Sequence, residues 1–125
     1  MKRLIIALVL LIIIIVILVV GNICVNTSAE QTVKALDQTY KEFENQNFDS
    51  ALLYAENLEQ LWESQTNKLS IFVNNAILED IGVCIAKIKS CAKYRNEDFY
   101  SECDTLYVLL KNMQDEEKFP FLGVF

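Results

Sequence analysis

The sequence predicts an all-α fold: a single N-terminal transmembrane helix followed by a small antiparallel bundle of about four helices, arranged as two helical hairpins. Three observations carry this. An apolar block opens the chain, with 17 consecutive residues from Leu4 to Val20 that lack any polar or charged side chain. Beyond it helix breakers are scarce: the one proline is Pro120, and the only glycines after Gly21 are Gly82 and Gly123. In between, apolar residues recur three or four positions apart, the period of a helix with one buried face. A chain of 125 residues has room for one span and one small core. That gives residues 1–25 as cytoplasmic stub and anchor, 26–118 as an extracytoplasmic bundle, and 119–125 as an apolar tail.

The first element is the anchor. Extended through Gly21, Asn22 and Ile23 to Val25, the block makes about 22 residues, or roughly 33 Å of helix against a hydrocarbon core of about 30 Å. Secretory signals carry apolar regions of only about 7–15 residues. The candidate small-residue cleavage site, Thr27 with Ala29, lies well past the end of the Leu/Ile/Val run. A retained anchor is expected, with cleavage to a secreted form as the alternative. The run holds no ionisable residue and no Gly-xxx-Gly pair, so it lacks the parts of a proton relay or a close-packed helix dimer. Lys2 and Arg3 precede it, whereas nine Lys/Arg and all 17 Asp/Glu follow, a net charge of −8 beyond the block. The positive-inside bias therefore puts the N-terminus in the cytoplasm and the acidic domain outside. The same acidity repels phosphate backbones and argues against nucleic acid as a partner.

The bundle helices follow in order. Ser28-x-x-Gln31 has the form of a capping box, after which Val33, Leu36, Tyr40 and Phe43 line one face of a helix that either starts there or continues the anchor across the membrane surface. "ENQNFD" breaks that pattern, and Asp49 is the expected N-cap of a second helix that turns Leu52, Ala55, Leu58, Leu61 and Trp62 inward. "QTNKLSIFVNN" mixes helical spacing with residues of low helix propensity, which predicts a bend or short extra turn and a break near Asn74-Asn75. The third helix presents Ile77, Ile81, Cys84, Ile85, Ile88 and Cys91, and "YRNED" closes it. The last presents Phe99, Cys103, Leu106, Leu110 and Met113. The tail "FPFLGVF", with Phe119, Phe121 and Phe125, reads either as a strap packed over the open end of the core or as a docking peptide.

Chemistry-bearing residues are few. The chain has no histidine, hence no commonest general base, zinc ligand or physiological pH switch. It contains no Gly-rich phosphate loop, nucleophile elbow or Cys-x-x-Cys pair. The acidic pairs Glu79-Asp80 and Glu97-Asp98 fall at helix starts or solvent faces, so no catalytic residue, metal ligand or cofactor is expected. The cysteines are the reactive set. Cys84 and Cys91 are seven apart, on one face but about 10.5 Å apart along the axis, too far to bond. Cys91 faces Cys103 across the last hairpin, so that pair is either a disulfide or, with Cys84, a set of small buried thiols in the seam. Trp62 shares the stripe of Leu58 and Leu69, which favours core packing over ligand stacking. Tyr54, Tyr100 and Tyr107 fall off the stripes and are expected at the surface.

The anchor together with "NFDSALLYAENLEQLWE", "LEDIGVCIAKIK" and "LLKNMQDEEKFPFLGVF" resembles a bacterial family known as domain of unknown function 4363. The resemblance runs nearly end to end and rests on Phe48, Ala51, Leu52, Trp62, Ile81 and the Leu109-Leu110-Lys111 stretch. It implies a membrane helix carrying about a hundred helical residues outside, and no catalytic activity. The family pattern often has histidine where Asn75 and Asn112 stand here, so no metal or pH-sensing role carries over. It also favours a polar ending where this chain has Pro120 to Val124.

Taken together, the expectation is a non-catalytic bitopic membrane protein. It contacts the lipid bilayer through its first helix, and its acidic domain serves as an interaction or scaffold module for another membrane or envelope protein. A secreted helical binding module and an envelope enzyme are the alternatives.

Overall fold

The computed structural model describes residues 1–115, and four helices account for nearly all of them. They are α1 (Lys2–Glu44), α2 (Phe48–Leu69), α3 (Asn75–Tyr94) and α4 (Asp98–Asp115). Short turns make successive helices antiparallel, and α4 packs back on α1 to close an up-down-up-down ring.

The anchor and the first bundle helix are one element. α1 runs unbroken for 43 residues, roughly 65 Å. Its first twenty residues are almost wholly exposed; from Gly21 onward it buries Val25, Ala29, Thr32, Leu36, Thr39 and Phe43. The capping box at Ser28 does not form. Nothing interrupts the helix there, so Ser28 is a buried mid-helix residue whose carbonyl accepts the Thr32 hydroxyl at 2.8 Å.

Every bundle helix shows the alternating four-three spacing of a coiled-coil seam. In α2 the buried set is Ala51, Ala55, Leu58, Trp62, Gln65 and Leu69. In α3 it is Leu78, Ile81, Cys84, Ile85, Ile88 and Ala92, and in α4 Phe99, Cys103, Leu106, Leu110 and Met113. The stripes expected from the pattern are therefore the buried ones, with small shifts: Leu52, Leu61, Ile77 and Cys91 flank the seam half-buried.

The turns explain the helix ends. At α1–α2, the Asn47 N–H bonds back to Glu42 O at 2.9 Å and the Gln46 N–H to Phe43 O at 3.0 Å. With Gln46 at φ 64°, this is a Schellman closure built without glycine. It turns the chain so sharply that Asn47, not Asp49, takes the N-cap position; Asp49 sits in the first turn, where its charge still suits the helix dipole. α2 continues through the polar stretch to Leu69. The expected break falls at the α2–α3 turn, where Asn74 Oδ1 accepts the Ala76 N–H at 3.0 Å as a true cap. At α3–α4, Arg95 adopts the left-handed conformation at φ 54° and the Asn96 N–H closes on Cys91 O at 2.9 Å.

Candidate functional site

The antiparallel order sets which side chains meet. At the end remote from the apolar segment, α1 finishes, α2 begins and α4 begins, and their aromatics form one cluster. Phe43 and Phe99 stack at 3.9 Å with 12° between planes. Phe48 and Tyr100 meet Phe43 edge-on at 5.2 and 5.4 Å, and Tyr40 meets Tyr100 edge-on at 5.4 Å. Tyr100, expected as a surface contact, is thus part of a helix-locking stack. Tyr107 is likewise intramolecular: its hydroxyl donates to Asp37 and fastens α4 to α1. Burial, then that hydrogen bond, pushes the phenol well above its usual range. Tyr54 stays half-buried on α2.

Lower in the bundle lies a polar layer absent from the sequence expectations. Thr32 and Gln65 are buried, and Gln65 Nε2 donates to Gln31 Oε1 at 2.6 Å. The Thr32 hydroxyl has one proton, held by Ser28 O at 2.8 Å; Gln65 Oε1 at 3.4 Å is the weaker acceptor. The register contained the signal. Continuing Ala51, Ala55, Leu58 and Trp62 by three lands on Gln65, and Thr32 and Thr39 keep step with Val25, Leu36 and Phe43.

All four cysteines are free thiols, Cys91 and Cys103 included. Cys84 and Cys103 are buried and Cys91 half-buried in the α3–α4 seam. The Cys84 thiol donates to Glu102 O at 3.2 Å. Its pKa is pushed up to about 12, first by burial and then by the Glu102 carboxylate. Burial also raises Cys103 strongly, reinforced by its neighbour Cys84, and raises Cys91. Neutral thiols of this kind are weak nucleophiles and poor metal ligands. Cys24 sits apart on α1.

Trp62 is 3% exposed and packs over Gly82, where an added Cβ would lie 3.7 Å from the indole nitrogen. Below that contact, toward the α2–α3 turn, an open groove of about 390 Å³ separates α2 from α3, rimmed by Thr66, Asn67, Asn75 and Glu79. Among the described residues its lining holds one carboxylate and no cation, which offers hydrogen bonds and no paired acid and base. Asn75 opens α3 and Asn112 lies near the end of α4, the same end of the hairpin, and both are exposed. A single ion pair spans helices among the described residues, Lys89 to Glu59 at 2.9 Å, and this contact raises the lysine. Among the described residues no group of three or more His, Cys, Asp or Glu is placed to hold a metal ion. Phe119, Phe121 and Phe125, candidates for packing or docking, lie outside the described residues.

The molecule is therefore a four-helix bundle whose first helix runs on into an apolar segment long and hydrophobic enough to cross a membrane. The model of a domain of unknown function (DUF4363) matches residues 19–123, and the chain belongs to that family. The match begins just before Gly21, where α1 first becomes buried, so it covers the bundle and omits most of the apolar segment. No curated protein and no solved structure matches the chain.

Proposed function

We propose that this is a single-pass membrane protein that keeps its apolar helix, with the N-terminus in the cytoplasm and the acidic bundle outside. There the bundle serves as a non-catalytic interaction or scaffold module for another membrane or envelope protein. The observation that supports retention is the continuity of α1. Gly21, Val25, Ser28 and Ala29 are all buried in the bundle, and the candidate cut after Ala29 would remove every one of them. A signal sequence is ordinarily dispensable to the fold it delivers; this segment supplies part of the core. The non-catalytic assignment is supported by the absence of histidine and by thiols held neutral in an apolar seam.

A two-part experiment tests this. On intact cells, external protease, and an impermeant thiol label on Leu53→Cys at an exposed site of α2, should reach the bundle and spare the N-terminus. Mass spectrometry of the membrane fraction should recover the peptide containing Leu4 to Val20. Crosslinking in the membrane followed by capture should then yield a defined second membrane protein. Recovery of the full chain in the soluble fraction would overturn the anchor, and capture of the bait alone would overturn the scaffold role.

A further inference from the structure

The α2–α3 turn reaches down beside the apolar segment. An ideal Cβ built on Gly21 would lie 2.7 Å from Phe72 Cδ1 and 3.0 Å from Cε1, so the ring lies against the α1 backbone at that residue. Only glycine allows that approach. Phe72 is 8% exposed, but Ile71 beside it is 64% exposed at the tip of the turn.

The depth of this contact follows from α1. A hydrocarbon core of about 30 Å takes about 20 residues of helix. Counted from Leu4, just past the charges of Lys2 and Arg3, that length ends near Ile23. Gly21 thus lies inside the outer boundary of the hydrocarbon; Phe72 is level with it, and Ile71 is the adjoining residue of the turn.

The chemistry of this end fits a lipid surface. No charged residue occurs from Leu69 to Leu78, nor from Leu4 to Ala29. The described charges nearest this end are of both signs, Lys68 and Lys111 with Glu30, Glu79, Asp80 and Asp115, and all lie outside the uncharged turn. On the exposed side of α1, Asn26 Nδ2 donates to Asn22 Oδ1 at 3.0 Å, pairing two amides across the outer boundary of the hydrocarbon.

We infer that Ile71, at the tip of the α2–α3 turn, inserts into the outer interfacial zone of the bilayer beside α1. The bundle then sits directly on the lipid as a second point of attachment, held in one orientation by the Phe72–Gly21 contact. The inference rests on the reading of α1 as a retained span and holds whichever side of the membrane the bundle occupies.

Tryptophan quenching in vesicles of phosphatidylcholine tests it, using the full chain with Trp62 as constant background. The added probes are Ile71→Trp, Leu53→Trp about 27 Å farther along α2, and Ile12→Trp in the middle of the apolar run. Ile71 and Leu53 are exposed, so neither substitution disturbs the core. Acyl chains brominated near the headgroup should quench the added emission at position 71 at least twofold and leave position 53 unchanged. Aqueous acrylamide should show the reverse. Quenching of Ile12→Trp by bromine at the chain ends, with position 71 behaving like position 53, would overturn this inference and leave the anchor standing. The same follows if position 71 is shielded from both quenchers, since protein then covers it. An unquenched Ile12→Trp would overturn the anchor and this inference together.

Discussion

Leu58 and Gln65 occupy equivalent seam positions on α2, and both are buried, yet they carry different amounts of stability. Leu58→Ala removes a fully buried side chain and leaves a cavity, which costs about 2–5 kcal/mol. Gln65→Leu removes an amide whose partners keep other options: the Thr32 hydroxyl retains Ser28 O, and Gln31 is exposed to water. Its effect should stay within about 1 kcal/mol. Urea titration followed by circular dichroism would rank the two variants; equal losses would mean that the polar layer is integral to the core. The thiols set a pH limit. Cys84 moves from an ordinary 9.0 to about 12 in the folded protein, and Cys103 moves in the same direction. Below pH about 9 both are protonated folded and unfolded, and their contribution is fully present. Above it the unfolded chain loses protons that the folded chain keeps, so stability falls as pH rises, by up to about 1.4 kcal/mol per pH unit for each thiol. Melting curves between pH 8 and 11 would show the decline, and replacing Cys84 and Cys103 by alanine should flatten it. At this scale the apolar seam was legible from spacing, as Phe99, Cys103 and Leu106 illustrate. Tyr100 and Tyr107 were misplaced because their partners, Phe43 and Asp37, are distant in sequence and nothing local reports them.

Among the elements, the ends separate what local chemistry dictates from what it does not. The break before α3 was readable because Asn74 is a capping residue that uses its own side chain. The ends of α1 and α3 were readable only as lost patterns, since Gln46 and Arg95 carry the left-handed positions that glycine usually fills. That choice suggests a stabilising change. A non-glycine residue in this conformation costs about 1–2 kcal/mol, while glycine adds about 0.4–1 kcal/mol of unfolded-state entropy. Gln46→Gly should therefore gain about 0.5–1 kcal/mol, read as a higher denaturation midpoint with unchanged slope. Arg95 is the less favourable target, because its guanidinium lies 4.9 Å from the Phe48 ring centre and would be lost as a cation–π contact. The false capping box at Ser28 illustrates the opposite failure. A local motif for starting a helix is silent when the helix has already begun upstream, and α1 begins at Lys2.

For the molecule as a whole, the overlap of the apolar segment with the bundle has a direct consequence for truncation. Starting the chain at Gly21 keeps every buried residue of α1, whereas starting it at Glu30 deletes Gly21, Val25, Ser28 and Ala29. Burying Val25 alone contributes about 1.5–3 kcal/mol, so the shorter form should lose at least about 2 kcal/mol. For a bundle of this size that corresponds to a drop in melting temperature of about 8–16 °C relative to the longer form. Calorimetry on both would measure it, and equal melting temperatures would show that the fold begins beyond Ala29.

Sequence alone determined the helical class, the apolar segment, the acidic remainder and the seam of each helix, because these depend on composition and on a period of three to four residues. It also carried the family, through soft motifs spread over the bundle. Tertiary structure alone decided that the apolar segment and first bundle helix are one rod, that Cys84 and Cys103 are buried with Cys91 half-buried beside them, and that Phe72 rests on Gly21. Each of these depends on which helices are neighbours and at what height. Those relations are set by the turns and by the closing of α4 on α1, and a periodic pattern within one helix contains no record of them.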